Sequence, residues 1–216
     1  MTALVVKIGG SLAGTGRLGD VLAIVGRARR PLVVVPGGGP FADAVRRAQR
    51  ELGFSDAAAH RMAILAMHQM AVAMLALEPR LVAAETLNAM RQAWARERVP
   101  VWLPARLAAR DRRIPADWSI TSDGLAARLA ERLGGAALVL VKSLSVAPGA
   151  EAVTLAQEGV VDPVFAEIAS RARLDWQILG PGDGARLAGL LATKGREDAT
   201  GRGAKKGLAL ASTPRR

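Results

Sequence analysis

Lys7 stands near the end of an apolar, β-branched run, Val5-Val6-Lys7-Ile8, that opens directly into Gly9-Gly10-Ser11. Paired glycines just past a strand tolerate positive φ and let backbone N–H groups approach an anion closely. A lysine delivered by the last residues of the strand can then meet phosphate oxygens. The spacing is neither Walker A, since no G-x-x-x-x-G-K-[ST] occurs, nor the Rossmann fingerprint. Taken alone, the segment is equally an ordinary first strand with a glycine turn. A second strand end shifts the balance. Pro31-Leu32-Val33-Val34-Val35-Pro36 runs into Gly37-Gly38-Gly39-Pro40-Phe41, and a helical pattern starts at Ala42. Strand, glycine turn and helix make an anion site at a helix N-terminus. Two such loops at adjacent strand ends suit two phosphorylated groups held face to face.

The third segment is Trp118-Ser119-Ile120-Thr121-Ser122-Asp123-Gly124. Thr121 and Ser122 are hydroxyl residues at a helix start, and Asp123 falls in the first turn. An aspartate there is often only a cap stabilised by the helix dipole. The chemical alternative is that Asp123 holds lysine ammonium groups in line with a transferring phosphoryl group. Phosphoryl transfer demands positioning and charge neutralisation more than covalent chemistry. A Lys–Asp pair flanked by glycine loops meets that demand.

The elements that must position these residues alternate along the chain. Strands are expected at Leu4–Ile8, Leu32–Val35, Val99–Leu103, Ala137–Val141 and Trp176–Leu179. Helices are expected at Arg17–Arg30, Ala42–Leu52, Ser55–Leu77, Arg80–Arg96, Ser122–Leu133, Pro163–Arg173 and Ala185–Ala192. Ser55 or Asp56 serves as N-cap of the long helix, and Gly134-Gly135 stops the one before the fourth strand. An irregular, arginine-rich segment fills Pro104–Asp117. Alternation of this kind predicts an α/β fold, a three-layer αβα sandwich around a mainly parallel sheet. The expected organisation is one domain over residues 1–194 and a basic, disordered tail over 195–216, where no apolar face recurs.

Composition narrows the chemistry further. The 216 residues are 50% hydrophobic but only 3% aromatic, so the core is built from Ala, Val, Leu and Ile. With no cysteine, disulfides, thiolate metal sites and cysteine nucleophiles are excluded. Two histidines, His60 and His68, are too few for a histidine metal site, and no metal-binding residue is expected. No apolar run reads as a membrane span and no signal layout precedes the first strand, so a cytoplasmic protein without a membrane partner is expected. The net charge is +11, of which residues 195–216 carry +4 from six basic and two acidic residues. The rest belongs to an arginine-rich body, which suits anionic substrates. Aromatics are not interleaved with the arginines, which argues against a nucleic-acid partner. The stripe Met62, Met67, Met70 and Met74 reads as packing, within the chain or at the interface of a homo-oligomer.

In this order, Lys7–Leu12 (KIGGSL), Pro36–Ala42 (PGGGPFA), His60–Ile64 (HRMAI), Leu103-Pro104 and Trp118–Asp123 (WSITSD) resemble the amino-acid kinase superfamily. That superfamily includes acetylglutamate kinase, aspartokinase, uridylate kinase and isopentenyl phosphate kinase, and the resemblance spans roughly residues 3–194. The His60 and Trp118 segments are similar to the archaeal aspartokinase-like branch, which phosphorylates aminomethylfuran-methyl phosphate to the diphosphate in methanofuran biosynthesis. The resemblance implies the amino-acid kinase fold, with ATP and Mg²⁺ as cofactors and a small phosphorylated substrate as partner. Lys7 would contact the transferring phosphate and Asp123 would orient the catalytic lysine. Gly9, Gly10 and Ser11 would follow the nucleotide phosphates, with Lys142 and Ser143 beside them. Gly37, Gly38 and Gly39 would line the acceptor site, together with His60, Trp118 and Thr121. A phosphate bound beside His60 would raise its pKa.

One stretch departs from the family. After Ala137–Val141 most members carry an acidic Thr-Asp-x-Asp-Gly loop near the nucleotide. Here the chain reads Lys142-Ser143-Leu144-Ser145-Val146. No lysine occurs between Gly149 and Leu179, so the second catalytic lysine of many members has Lys142, Arg171 and Arg173 as candidate replacements. The expected activity is ATP-dependent phosphorylation of a small phosphate ester in the biosynthesis of a methanofuran-type C1 carrier. A carboxylate kinase acting on an amino-acid derivative and a non-catalytic nucleotide-binding subunit stand as alternatives.

Overall fold

Three β-branched and leucine-rich runs form the centre of the sheet: β1 (Leu4–Ile8), β2 (Leu32–Pro36) and β5 (Ala137–Val141). β1 and β2 are buried along their whole length, as expected of strands covered on both faces. The computed structural model describes residues 3–147 and 149–192. The tail read at 195–216 lies outside the described residues. With β3 (Leu81–Ala84), β4 (Val99–Trp102) and β6 (Trp176–Leu179), the sheet has six strands in the order β3-β4-β2-β1-β5-β6. Every pairing is parallel.

Helices cover both faces. α1 (Leu18–Gly26) and α9 (Gly184–Ala192) pack with Leu4, Val6, Ile8, Val34, Val139 and Val141 on one side. On the other, Val5, Val33, Val35, Leu138 and Leu140 meet α4 (Leu87–Ala95), α6 (Ser122–Arg132), α7 (Ala152–Gln157) and α8 (Pro163–Arg171). α2 (Gly39–Leu52) and α3 (Asp56–Leu77) form a hairpin beside the second glycine loop. This is the expected three-layer α/β architecture. Because β1 has β2 on one side and β5 on the other, the connections diverge there, and a crevice opens beyond the carboxyl ends of these strands.

α3 starts at Ser55, whose Oγ accepts from the Ala58 N–H at 3.3 Å. By length and composition its 22 residues could cross a membrane, which the sequence reading had denied to every segment. Its inner face is instead part of the core, with Met67, Met70 and Met74 buried and Met62 left exposed.

Some local expectations need correction. Arg80–Arg96 is not one helix: Leu81–Ala84 is an edge strand paired with β4, and the helix begins at Leu87 after the Thr86 cap. Leu-Val-Ala-Ala carries no decisive period, and only its pairing with β4 settles its state. The first helix is shorter than Arg17–Arg30, starting at Leu18 and ending at Gly26, and a 3₁₀ turn over Gly10–Thr15 precedes it. Short helices α5 (Ala105–Ala108) and α7 occupy stretches read as irregular or left unassigned.

Candidate phosphoryl-transfer site

Side chains alternate along a strand, so Val5 and Lys7 face the α6 side while Val6 and Ile8 face α1. The β1–β5 register pairs Lys7 with Leu140 and Ile8 with Val141. By the same alternation Lys142, one residue beyond β5, emerges on the face of Lys7. Asp123, in the first turn of α6, lies between them. Lys7 Nζ is 2.8 Å from Asp123 Oδ1, and Lys142 Nζ is 2.7 Å from Asp123 Oδ2. Lys142 Nζ also donates to the Val160 carbonyl. The carboxylate thus bridges two ammonium groups and does not act as a helix cap.

All three side chains are nearly buried. Burial pushes the Asp123 carboxyl up, but Lys7 and Lys142 together outweigh it and hold it below the usual carboxylate range. Burial, then the neighbouring charge of Lys7, pushes Lys142 down against the pull of Asp123. One carboxylate cannot fully satisfy two desolvated cations. With all three groups ionised the cluster carries +1, at a place that favours an arriving anion. Of the three candidates for the second lysine, Lys142 alone enters this cluster. Arg171 is paired with Glu131 and Glu167, and Arg173 precedes β6, at the amino ends of the parallel strands.

The glycines have a packing reason as well as a chemical one. A Cβ on Gly10 would lie 2.2 Å from Gly39 N, and one on Gly37 would lie 2.3 Å from Gly10 N. The two loops therefore meet backbone to backbone, and only glycine permits it. Gly39 adds a φ of 53°, and Gly38 sits against Ala42. Gly9 N donates to Val141 O at 2.8 Å, and the Ser11 and Ser143 hydroxyls are 2.9 Å apart. Gly9, Gly10, Ser11, Lys142 and Ser143 thus share the ends of β1 and β5.

On the other side of Lys7 a cavity of about 260 Å³ opens between α2, α3 and α6. Lys7, Asp123, Gly38, Gly39, His60, Trp118 and Thr121 line it, with Ile64 and Met67 forming an apolar wall. Gly37 lies behind, packed on Gly10. His60 is buried, and burial pushes its imidazole below the ordinary value, with Asp117 pulling less strongly the other way. The upward shift expected from the sequence needs a phosphate beside the ring; without one, burial outweighs Asp117 and the shift is downward. The Thr121 hydroxyl, expected to face substrate, donates instead to Asp162 Oδ2 at 2.7 Å.

Several residues at the site carry no sequence signal. Gln49 accepts from Trp118 Nε1 at 2.7 Å and fixes the indole. Arg46 stacks over that ring at 4.7 Å and pairs with Asp43 at 3.0 Å. An arginine and a glutamine on an exposed helix are ordinary surface residues until the fold brings Trp118 to them. Asp162 is buried between α7 and α8 and was missed altogether.

The profile of the amino acid kinase family matches residues 2–145. The [5-(aminomethyl)furan-3-yl]methyl phosphate kinase of Methanocaldococcus jannaschii is 28% identical over 123 residues, 56% of this chain and 56% of that protein. The chain thus matches little more than half the length of that relative. The fold is similar to the crystal structure of uridylate kinase from Archaeoglobus fulgidus, with a TM-score of 0.63 and 18% identity over 88% of this chain and 95% of that one. It is also similar to isopentenyl phosphate kinase, with a TM-score of 0.54 and 17% identity over 87% and 96% of the two chains.

Proposed function

Since the chain belongs to the amino acid kinase family, we propose that it transfers the γ-phosphoryl group of ATP to the phosphate of a small phosphate monoester. An acceptor phosphate oxygen forms the new P–O bond to the γ-phosphorus. The bond to the ADP oxygen breaks, and the products are a diphosphate ester and ADP. The observation that carries this reading is the buried Lys7–Asp123–Lys142 cluster between two glycine loops, with the His60 cavity on one side. Two anions must approach each other for this reaction, and their repulsion is the main obstacle. Lys7 meets the transferring group from below. Lys142 neutralises charge on the nucleotide side, and Asp123 keeps both ammonium groups aimed. On the acceptor side, the amides of Gly38 and Gly39 and the His60 imidazole would hold the acceptor phosphate.

Mg²⁺ belongs to the same reading, carried on the nucleotide phosphates. Both Asp123 oxygens are engaged by lysines, and no three carboxylate or imidazole side chains gather among the described residues. The chain's own groups therefore fit a metal held chiefly by substrate oxygens. When bound, the ion would neutralise phosphate charge; the residues named above do the positioning.

The M. jannaschii relative's substrate, with its flat ring bearing a phosphomethyl group, supports a ring-bearing acceptor here. Ile64, Met67 and Trp118 offer such a ring an apolar wall beside the phosphate end. On this reading the enzyme is cytoplasmic and serves assembly of a methanofuran-type C1 carrier. The test is ATP turnover by the full chain with phosphorylated alcohols, the parent alcohols and amino-acid carboxylates, with the product read by ³¹P NMR. A diphosphate doublet only with phosphorylated acceptors is the expected result. Lys7→Ala should lower the rate by roughly 10²–10³ with an unchanged circular-dichroism spectrum. Turnover of carboxylates alone would transfer the reading to a carboxylate kinase, and ATP binding without turnover to a non-catalytic subunit.

A further inference from the structure

We propose that Asp162 is a positioning residue for this centre, and that the strap Val160–Asp162 sets Asp123 and Lys142 in place together. The inference rests on the transfer reading given above. Asp162 caps α8 through Oδ1, which accepts from Phe165 N at 2.8 Å. A cap would need nothing more. Its other oxygen, however, takes three donors from the segment that carries Asp123: Thr121 N at 2.9 Å, Thr121 Oγ1 at 2.7 Å and Gly124 N at 2.8 Å. Asp123 sits between those two anchors, so the Asp162 carboxylate fixes the backbone from which the bridging aspartate projects.

Two residues earlier, the Val160 carbonyl accepts from Lys142 Nζ. One short strap thus grips the bridging acid through its backbone and the second lysine through its ammonium group. Gly124 is the steric condition for this grip, because a Cβ there would lie 2.5 Å from Asp162 Oδ1 and 2.8 Å from Ile120 Cγ1. The strap follows the stretch where the acidic family loop is missing, and it secures Lys142 from the protein side.

Asp162 also acts on Lys142 by charge. The charged groups facing Lys142 are Lys7 from β1, Asp123 from α6 and Asp162 from the α7–α8 connection. Lys7 favours loss of the Lys142 proton, and both acids oppose it. Removing the Asp162 charge must therefore let Lys142 deprotonate at lower pH.

The experiment compares Asp162→Asn and Gly124→Ala with the wild type in steady-state kinetics across pH and in thermal melts. A misplacement of about 1 Å at a reacting centre costs on the order of 10²-fold in rate. We expect kcat to fall by about that factor in both variants, with the acceptor KM changed by less than about threefold, since His60, Gly38 and Gly39 on the acceptor side make no bond to Asp162. In Asp162→Asn the alkaline limb of the kcat profile should also move to lower pH. A helix cap alone would lower Tm and move neither kcat nor the limb, and that outcome overturns the proposal. Gly124→Ala keeps the Asp162 charge and instead crowds its carboxylate at 2.5 Å, so it tests the strap without a charge change even where Asp162→Asn folds poorly. Lack of turnover by the wild type with every acceptor would refute the transfer reading alone. The strap is then judged by NMR titration of the Lys142 ε-methylene, whose pKa falls in Asp162→Asn if the strap is real and stays unchanged if it is not.

Discussion

Replacing Asp123 by asparagine separates the structural and chemical roles of the lysine pair. The two lysine side chains are 6% and 11% exposed, and they share one carboxylate. Neutralising that carboxylate leaves two desolvated cations facing each other across an amide. Taking roughly 5 Å between nitrogens bonded to opposite oxygens of one carboxylate, their repulsion is about 3 kcal/mol at an effective dielectric of about 20. Lost attraction adds to this, and proton loss from Lys142 relieves part of it. Asp123→Asn should therefore cost about 3–5 kcal/mol, the range for removing one partner of a buried pair. In a domain of this size that lowers Tm by roughly 6–20 °C.

Lys142→Met should behave differently. It leaves Lys7 and Asp123 as a neutral pair, so Tm changes by no more than a few degrees while kcat falls by roughly 10²–10³. The double variant Asp123→Asn/Lys142→Met removes the repulsion and should be more stable than Asp123→Asn by at least about 1.5 kcal/mol, the signature of direct coupling. The pH dependence has a definite sign. In Asp123→Asn the Lys142 pKa, already lowered by burial and Lys7, loses the opposing pull of Asp123 and lies further below its unfolded value of about 10.4, so the stability deficit is largest at the lower pH and shrinks as pH rises toward that value. Urea unfolding followed by tryptophan fluorescence at pH 7 and pH 9.5 reads all four proteins. The reasoning fails if Asp123→Asn is within about 1 kcal/mol of wild type, or if the double variant is no more stable than the single one.

Gly10→Ala should force the glycine loops apart, costing about 1–3 kcal/mol by overpacking and on the order of 10²-fold in kcat/KM; a normal kcat/KM would show that the loops need not touch. His60→Ala should raise the acceptor KM and leave the KM for ATP unchanged, which initial-rate kinetics with each substrate varied will decide. Burial lowers the His60 pKa, so the native chain loses stability as pH falls below the unfolded value of about 6.5, and His60→Ala should lose less between pH 7.5 and 5.5 in urea titrations. Trp118→Leu removes the bond to Gln49 and the platform under Arg46. It should weaken acceptor binding by roughly tenfold, about 1.4 kcal/mol, measurable as KM with ATP saturating.

Local chemistry wrote much of the site into the sequence. β1, β2 and β5 are short β-branched or leucine-rich runs closed by breakers, and such runs declare themselves within a few residues. Lys7, the glycines at positions 9–10 and 37–39, and Asp123 at a helix start could be paired with phosphate chemistry because each sits at an element end. Backbone donors and dipoles are exposed at such ends. The alternation of strands with helices was enough to require a parallel sheet with both faces covered.

What the tertiary structure decided is whatever depends on register and approach between distant segments. Leu81–Ala84 is a strand because β4 offers it hydrogen bonds, not because of its own composition. Lys142 joins Lys7 on Asp123 because the parallel register of β1 and β5 puts it on the face of Lys7, and because α6 lays Asp123 between them. No local pattern could separate it from Arg171 or Arg173. The glycines at 10, 37 and 39 are required by loop-to-loop contact, which a single strand end does not reveal. Asp162 carries no motif that singles it out; only the folded chain turns its second oxygen toward Thr121 and Gly124. Period, propensity and breakers act over a few residues and survive in one dimension. The pairing of buried charges is set by where the sheet brings remote segments together, since burial makes an unpartnered charge costly and leaves the fold to supply its partner.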